Sequence, residues 1–275
     1  MRKTYIAAAV AGLLSAPSLV AFAADAPPPE HTVTGNLTIA SDYRFRGITQ
    51  TFKKPAIQGG IDYSHSSGLY LGNWNSNVSE WTGYPGGNLE MDFYGGWKGS
   101  WGDFGVDVGV LYYYYPGSDA KGNPATISVG NPKTGRTGSG TVDNTELYIG
   151  ASWKWLSAKY SWSINDYFSV PDTENTGYLE LNANFDLGNG WGLVGHVGRL
   201  NLKNFQSGAG DNGKYTDWKL GVTKEIAAGW TAGAYYVDSN AKAGTGETYR
   251  YANVSNGKSI DAGNGTLVVT IGKTF

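Results

Sequence analysis

Apolar and polar side chains alternate along most of this chain, and the final stretch shows the pattern at its clearest. In residues 265–275, Leu267, Val269, Ile271 and Phe275 share one parity, and polar or small residues occupy most of the other. Successive side chains of a strand point to opposite faces, so this stretch predicts a strand with one apolar face. Because the strand runs to the last residue, we expect it to close a barrel by pairing with the first strand, which removes the exposed edge.

The same alternation predicts eleven further strands and no helix. They cover about 33–46, 57–64, 69–78, 88–98, 104–115, 144–154, 156–165, 178–186, 191–201, 215–223 and 230–236. The pattern is least regular in 69–78, where Tyr70, Trp74 and Val78 are expected outside and Leu71 falls on the polar side. Twelve is an even number, as bacterial outer-membrane barrels require. The sequence therefore predicts an all-β fold, a transmembrane antiparallel β-barrel of about 12 strands spanning 32–275.

The connections between the predicted strands alternate in length. Short ones lie at 65–68, 99–102, near Trp155, at 188–190 and at 225–229, and long ones lie at 47–55, 79–87, 116–142, 167–175, 203–213 and 239–264. Short periplasmic turns and longer outer loops are typical of outer-membrane barrels. This asymmetry predicts that both termini are periplasmic.

Aromatic residues are concentrated where the two membrane interfaces would lie. Those near the short turns are Trp97, Trp101, Trp153, Trp155, Phe185, Trp191, Trp230 and Phe275, and those toward the long loops are Tyr43, Phe45, Tyr112, Tyr114 and Trp162. Amphipathic rings favour the headgroup region, so the pattern predicts two girdles. The alternative is two aromatic layers of a soluble sandwich.

The N-terminus has the features of a secretory signal. Arg2 and Lys3 precede an apolar segment, and residues 21–23 form a small-x-small cleavage site, so we expect the mature chain to begin at Ala24. The alternative is a retained membrane anchor. Residues 1–23 are then the signal peptide, and 24–31, with its proline run, form an extended periplasmic segment.

Composition excludes several classes of function. Removal of Arg2 and Lys3 with the signal takes the formal net charge from −2 to −4, which argues against nucleic acid as a partner. The absence of cysteine excludes disulfides and thiolate sites. The mean hydropathy of −0.33 does not argue against a membrane barrel, because barrel strands alternate apolar and polar residues.

Charged side chains recur on the parity expected to face the lumen. The acids are Asp42, Asp62, Glu90, Asp92, Asp107, Glu146, Glu180, Asp186 and Asp217, and the bases are Arg44, Arg46, Lys154, Lys159 and Lys219. Such a set predicts either a water-filled path or a plug of ion pairs. The excess of acids predicts a weak preference for cations. The candidates for pore lining and selectivity are Asp42, Arg44, Arg46, Asp62, Glu90, Asp92, Asp107, Glu146, Lys159, Glu180, His196 and Lys219.

Asp42, Arg44 and Arg46 form a ladder near the outer end of the first predicted strand. One interpretation is a charged constriction that selects solutes. The alternative is that the two arginines pair with Asp62, Glu90 or Asp92 on neighbouring strands.

Residues that could carry catalysis are sparse. His31, His65 and His196 have no metal-ligand spacing, and His31 and His65 are expected near the periplasmic rim. A hydrolase would need a Ser/His/acid set, and nothing in the sequence places Ser161 or Ser163 beside His196. We therefore expect no catalytic residues, no metal, no cofactor and no enzymatic activity, with His196 in a structural role.

Four segments resemble a known family. SDYRFRGITQT (41–51), PAIQGGIDY (55–63), GLYLGNWNSNV (68–78) and EMDFYGGW (90–97) resemble the first strands of the TorF family of porin-like proteins, also called the Gcw_chp family. The resemblance is sharp over about 40–97 and looser beyond. It implies a Gram-negative outer-membrane barrel without catalytic residues.

The sequence and the resemblance together predict a channel for passive or substrate-selective diffusion of small solutes. The alternative is a closed barrel whose loops 116–142 and 239–264 bind a surface partner. The expected partners are outer-membrane lipid, small solutes and the outer-membrane assembly machinery, which would recognise Phe275 as a terminal aromatic.

Overall fold

A computed structural model of the chain describes residues 29–122 and 128–275, so the predictions for residues 1–23, for Ala24 and for most of the segment 24–31 lie outside the described residues. Twelve antiparallel strands close into one barrel, as predicted. They are β1 His31–Ala40, β2 Ala56–His65, β3 Leu69–Asn77, β4 Leu89–Trp101, β5 Phe104–Tyr114, β6 Asp143–Trp153, β7 Leu156–Ser163, β8 Gly177–Gly188, β9 Trp191–Asn201, β10 Tyr215–Ala227, β11 Trp230–Ser239 and β12 Thr266–Thr274. The part of the chain that the structure describes holds no helix long and apolar enough to cross a membrane.

Each strand pairs with the next, and the last strand closes the ring. β12 pairs with β1 from Asn36↔Thr274 to Ala40↔Thr270 and with β11 along its other edge, which confirms the predicted role of the final stretch. Two or three residues connect the strands at one end, here the turn rim. Longer loops, L1 (41–55), L2 (78–88), L3 (115–142), L4 (164–176), L5 (202–214) and L6 (240–265), emerge at the other end, here the loop rim.

The outer surface of the barrel is apolar. Val33, Ile61, Leu220 and Leu267 are each more than 60% exposed, and they belong to a band of exposed aliphatic side chains around the wall. A protein in water rarely exposes so continuous an apolar surface, whereas a bilayer requires one. The closed ring excludes the sandwich alternative.

The aromatic girdle is confirmed at the turn rim and only in part at the loop rim. Trp101, Trp153, Trp191 and Trp230 are all exposed near the short turns. At the other end, Tyr112 and Tyr114 stack on each other on the outward parity of β5.

Four aromatic residues were placed wrongly, two in L1 and two in β3. β1 ends at Ala40 and not at residue 46, so Tyr43 and Phe45 lie in L1, where Tyr43 is 3% exposed. In β3, Leu71 points outward and Tyr70 and Trp74 point inward, because Trp74 packs edge-on against the Tyr43 ring with the centroids 5.5 Å apart. Both errors arise because the interior of this barrel is aromatic as well as polar.

The outward face of β10 offers a test of the membrane-facing surface. We expect Leu220→Arg to lower the free energy of unfolding from lipid vesicles by about 2–4 kcal/mol, because the charge would enter hydrocarbon. Thr223→Arg is the matched control, since Thr223 lies on the opposite parity of the same strand. Equal losses in denaturant unfolding of the two variants would contradict the assignment of faces.

Candidate functional site

L1 does not extend away from the barrel but crosses its lumen. It leaves β1, and the Tyr43 hydroxyl donates to Glu90 Oε1 on β4 at 3.0 Å. Further along, Arg46 binds Glu146 on β6, nearly opposite β1 in the ring of twelve. L1 is therefore a plug inside the barrel.

A tight turn in L1 carries Arg46 to the far wall. Residues 44–45 and 48–49 pair as a small hairpin whose turn has Arg46 and Gly47 at φ 49° and 79°. A Cβ on Gly47 would lie 2.6 Å from the Cβ of Asp217, so only glycine fits between the turn and β10. The hairpin tip is thus pressed against the barrel wall.

Arg46 forms the contact that spans the lumen. Its two terminal nitrogens donate to the two Glu146 carboxylate oxygens at 2.9 and 2.7 Å, and one of them also donates to the Tyr167 hydroxyl at 3.1 Å. The guanidinium lies 4.6 Å from the Phe45 ring centroid and 4.2 Å from that of Tyr178. Burial lowers the pKa of Arg46, but the Glu146 carboxylate raises it further, so that the net pKa lies well above the ordinary value. The guanidinium therefore remains charged in its buried position.

Asp42 and Arg44 hold L1 together and tie it to L6. Asp42 accepts hydrogen bonds from Arg44 Nε at 2.6 Å and from the hydroxyls of Thr49 and Thr51. Arg44 Nη1 donates to the carbonyls of Gly47, Ala262 and Asn264. The predicted ladder on a strand is therefore wrong. The arginines pair with Asp42 and Glu146, not with the acids at 62, 90 and 92, because the chain turns inward after Ala40.

Inward side chains at the level of L1 are almost inaccessible to water. Asp92, Asn144 and Ser163 are 0% exposed, and Glu90 and Glu146 are 1% exposed. Two aromatic clusters fill the space around them, one containing Tyr43 of L1 and the other containing Ile48 of L1. L1 thus joins both clusters and closes the loop-rim half of the lumen.

The half of the lumen nearer the turn rim is lined by polar side chains, most of them at least partly exposed, and is named here the vestibule. Three lysines lie over tyrosine rings in it: Lys98 at 5.5 Å from Tyr70, Lys159 at 5.5 Å from Tyr148 and Lys219 at 5.1 Å from Tyr235. Two of its acids accept from tyrosine hydroxyls, Asp62 from Tyr94 and Asp107 from Tyr70. The vestibule is therefore lined by polar and charged side chains and ends at L1.

His196 belongs to a hydrogen-bonded network in the wall of β8 to β10. Its Nδ1 lies 2.7 Å from Asn182 Oδ1, and its Nε2 lies 2.9 Å from Asp217 Oδ1 and 3.0 Å from the Tyr178 hydroxyl. Glu180 pairs with Lys159 at 3.1 Å beside this network. Both ring nitrogens of His196 are occupied by partners other than serine, so the geometry does not form a Ser/His/acid triad.

Glu90 and Asp92 are buried without a cationic partner. Within residues 29–122 and 128–275, Glu90 Oε2 and both Asp92 carboxylate oxygens have no hydrogen-bond partner. Burial of a carboxylate without compensation is unfavourable. These two residues therefore make the closed arrangement less stable than its packing suggests.

The sequence placed most of the charged wall residues correctly and missed the aromatic filling. Asp62, Glu90, Asp92, Asp107, Glu146, Lys159, Glu180, His196, Asp217 and Lys219 all lie on inward positions of barrel strands. Lys154, in the turn after β6, and Asp186, near the end of β8, are instead exposed. The tyrosines that fill the lumen, such as Tyr113, Tyr178 and Tyr215, stand on the polar parity of their strands, which is the signal that could have revealed them.

Comparisons with known proteins identify the family to which the chain belongs. The family described as "Bacterial protein of unknown function (Gcw_chp)" matches residues 23–275. No curated protein sequence matches the chain. Similar solved structures include the KdgM porin in complex with disordered oligogalacturonate (TM-score 0.49, 6% identity, 88% of this chain and 97% of that chain). They also include the NanC porin (TM-score 0.47, 10% identity, 89% of this chain and 99% of that chain). A third is a Pseudomonas aeruginosa FadL homologue (TM-score 0.45, 11% identity, 90% of this chain and 90% of that chain).

Proposed function

We propose that this chain, which belongs to the Gcw_chp family of bacterial proteins, is a porin-like channel of the outer membrane that its own first loop closes. One observation carries the proposal: a polar, charged vestibule ends at a loop that the Arg46–Glu146 pair holds across the lumen. Small solutes pass when L1 leaves this position. The porin-like role that the resemblance to the TorF family implies is part of this proposal.

L1 has the properties of a gate rather than of a permanent wall. Arg46, Phe52 and Lys53 all adopt positive φ, which costs non-glycine residues about 1–2 kcal/mol each. Withdrawal of L1 would relieve this strain and return Glu90 and Asp92 to water. The chain has no cysteine, so no disulfide ties L1 to the wall. Packing and strain therefore oppose each other in the closed state.

Recordings in planar bilayers test the proposal. Purified wild-type protein is expected to show discrete conductance steps separated by long closed periods, because closure and release of L1 alternate. A barrel that stays silent both with L1 in place and after its replacement contradicts the channel function.

The packed loop-rim half favours one alternative, a closed barrel whose loops bind a surface partner. L3 and L6 carry their own hairpins, residues 130–131 with 136–137 and Arg250–Asn253 with Lys258–Asp261, and such folded loops can present a fixed surface. Trimming the two hairpin tips, 132–135 and 254–257, distinguishes the functions and spares the L6 carbonyls that bind Arg44. The channel keeps its conductance after trimming, whereas the loop-based binder loses its ligand.

The proposal places the turn rim in the periplasm. It includes export by the signal peptide 1–23, a periplasmic segment 24–31, contact with outer-membrane lipid and insertion by the assembly machinery. The short turns at one rim and the long loops at the other support this orientation.

Phe275 tests the assembly part of the proposal. The side chain is 71% exposed at the turn rim, and its backbone exchanges two hydrogen bonds with Gly35, at 2.9 and 3.3 Å. We expect deletion of Phe275 to reduce the amount of folded barrel in outer-membrane fractions, measured by heat-modifiable migration on gels.

Phe275→Ala separates the ring from the backbone, because it keeps both hydrogen bonds to Gly35. If the machinery recognises the aromatic ring, Phe275→Ala is as defective as the deletion and Phe275→Tyr is normal. Normal assembly of both the deletion and Phe275→Ala would contradict the assigned role.

A further inference from the structure

Glu30 and His31, which are adjacent in the sequence, meet the distant His65 at the turn rim. His31 and His65 are direct cross-strand partners on β1 and β2, and their ring centroids lie 5.0 Å apart. Glu30 precedes β1, and its Oε1 lies 3.5 Å from His65 Nε2. One ligand-type atom from each of the three lies within 4.8 Å of the other two. We propose that Glu30, His31 and His65 form a binding site for a divalent transition-metal ion such as zinc.

The residue types suit such an ion. Two imidazoles and one carboxylate are ligands that zinc accepts, with ligand distances of about 2.0–2.2 Å. Hard cations such as calcium and magnesium prefer oxygen ligands only, so they are poor occupants. With three protein ligands, the fourth position of a tetrahedral ion remains for water, which the exposure of Glu30 and His31 allows.

Hydroxyl groups already orient both imidazoles. His31 Nδ1 lies 2.8 Å from the Tyr63 hydroxyl, and His65 Nδ1 lies 2.7 Å from Ser67 Oγ. Ligand histidines typically donate their second ring N–H to such a partner, which fixes ring orientation and tautomer. The Nε2 atoms are therefore the ones left for the metal. The Ser67 amide donates to His65 Nδ1 at 3.1 Å, so this nitrogen accepts a hydrogen bond in the structure. Zinc binding through Nε2 requires the other tautomer, in which Nδ1 gives up this bond and donates to Ser67 Oγ.

The ion would tie the chain that enters the barrel to the first turn. The Ser66 amide already donates to the Glu30 carbonyl at 2.9 Å, so the backbone at the site is held before the ion arrives. A ligand set that is held in place loses less conformational entropy on binding. This site lies on the outward parity at the turn rim and does not depend on whether the lumen conducts.

Isothermal titration with zinc tests the site on the refolded, untagged protein, because a polyhistidine tag would bind the ion itself. We expect one zinc ion per barrel and no binding of calcium or magnesium. His31→Ala and His65→Ala should each weaken zinc binding by at least about 100-fold, and Tyr63→Phe by about 10-fold through loss of the orienting hydroxyl. Ser66→Ala is the matched control in the same turn and should bind zinc like the wild type.

Two results would overturn the proposal. One is the absence of stoichiometric zinc binding by folded wild-type protein. The other is zinc binding that survives unchanged in both histidine variants, which would place the ion elsewhere. Heat-modifiable migration confirms that each variant is folded, so that lost binding reports on the ligands.

Discussion

Replacement of residues 42–53 by a four-residue Gly/Ser linker is expected to turn a mostly closed barrel into a continuously conducting one. β1 and β2 are adjacent strands, so a short linker can join Ser41 to Lys54 without straining the barrel. The replacement removes Tyr43 and Ile48, one from each aromatic cluster, together with Arg46. Water then reaches Glu90, Asp92 and Glu146, and ions can follow. Single-channel recording in planar bilayers measures the change.

The matched control replaces the hairpin tip of L3, residues 132–135, by an equally short linker. The residues of this tip are all exposed, so the recordings of the control should match those of the wild type. A folded barrel that remains silent after replacement of L1 would contradict both the gate assigned to L1 and the proposed channel function.

The second large effect concerns the ion pair that holds L1 across the lumen. Loss of one partner of a buried ion pair costs about 3–5 kcal/mol, since the other charge remains buried without compensation. In Arg46→Ala the uncompensated group is Glu146, and it can regain water if L1 withdraws. We therefore expect Arg46→Ala to shift the equilibrium from the closed to the open state by at least about 100-fold, because about 1.4 kcal/mol corresponds to a tenfold change in an equilibrium constant. Open probability in bilayers measures this shift.

Three variants sharpen this test. Arg46→Lys keeps the charge but loses the bidentate geometry, so its effect should be intermediate. Glu146→Gln in the Arg46→Ala background removes the uncompensated charge and should restore part of the closed state. Arg44→Ala weakens contacts within L1 and to L6, not the contact across the lumen, so it should open less often than Arg46→Ala. An Arg46→Ala recording identical to that of the wild type would assign Arg46 to stability alone.

The barrel itself could be predicted because lipid imposes a simple pattern on every strand. A wall between hydrocarbon and lumen alternates with period two, and an even strand number with short turns at one rim and longer loops at the other is typical of bacterial outer-membrane barrels. Strands such as β5 and β12 show this plainly, with exposed Val108, Val110, Leu267 and Val269 on one parity. The closing pair between β12 and β1 was predictable for the same reason.

The plug could not be predicted, because parity does not distinguish a strand that continues from a loop that folds inward. The alternation of β1 persists through Tyr43 and Phe45, yet pairing with β12 ends at Ala40. The Arg46–Glu146 contact joins residues 100 positions apart across the lumen, and no local pattern encodes such a partner. The prediction for β3 was wrong for a related reason, because Trp74 points inward to pack against Tyr43 of L1.

The proposed metal ligands at the turn rim likewise could not be found from a local sequence pattern. His31 and His65 are 34 positions apart in the sequence, a distance that matches no ligand motif. They meet because the β1–β2 register places them opposite each other. Counting that register back from Ala40 and Ala56 would have revealed the pair.

Directional labelling of a single cysteine tests most directly whether L1 closes the lumen. The chain has no cysteine, so Ser157→Cys on the inward parity of β7 in the vestibule is the sole target. With the barrel oriented in a bilayer, a charged, membrane-impermeant thiol reagent should label this cysteine from the turn side. From the loop side it should label the cysteine only after L1 has been replaced. Equal labelling from both sides with L1 intact would contradict the closure of the lumen by L1.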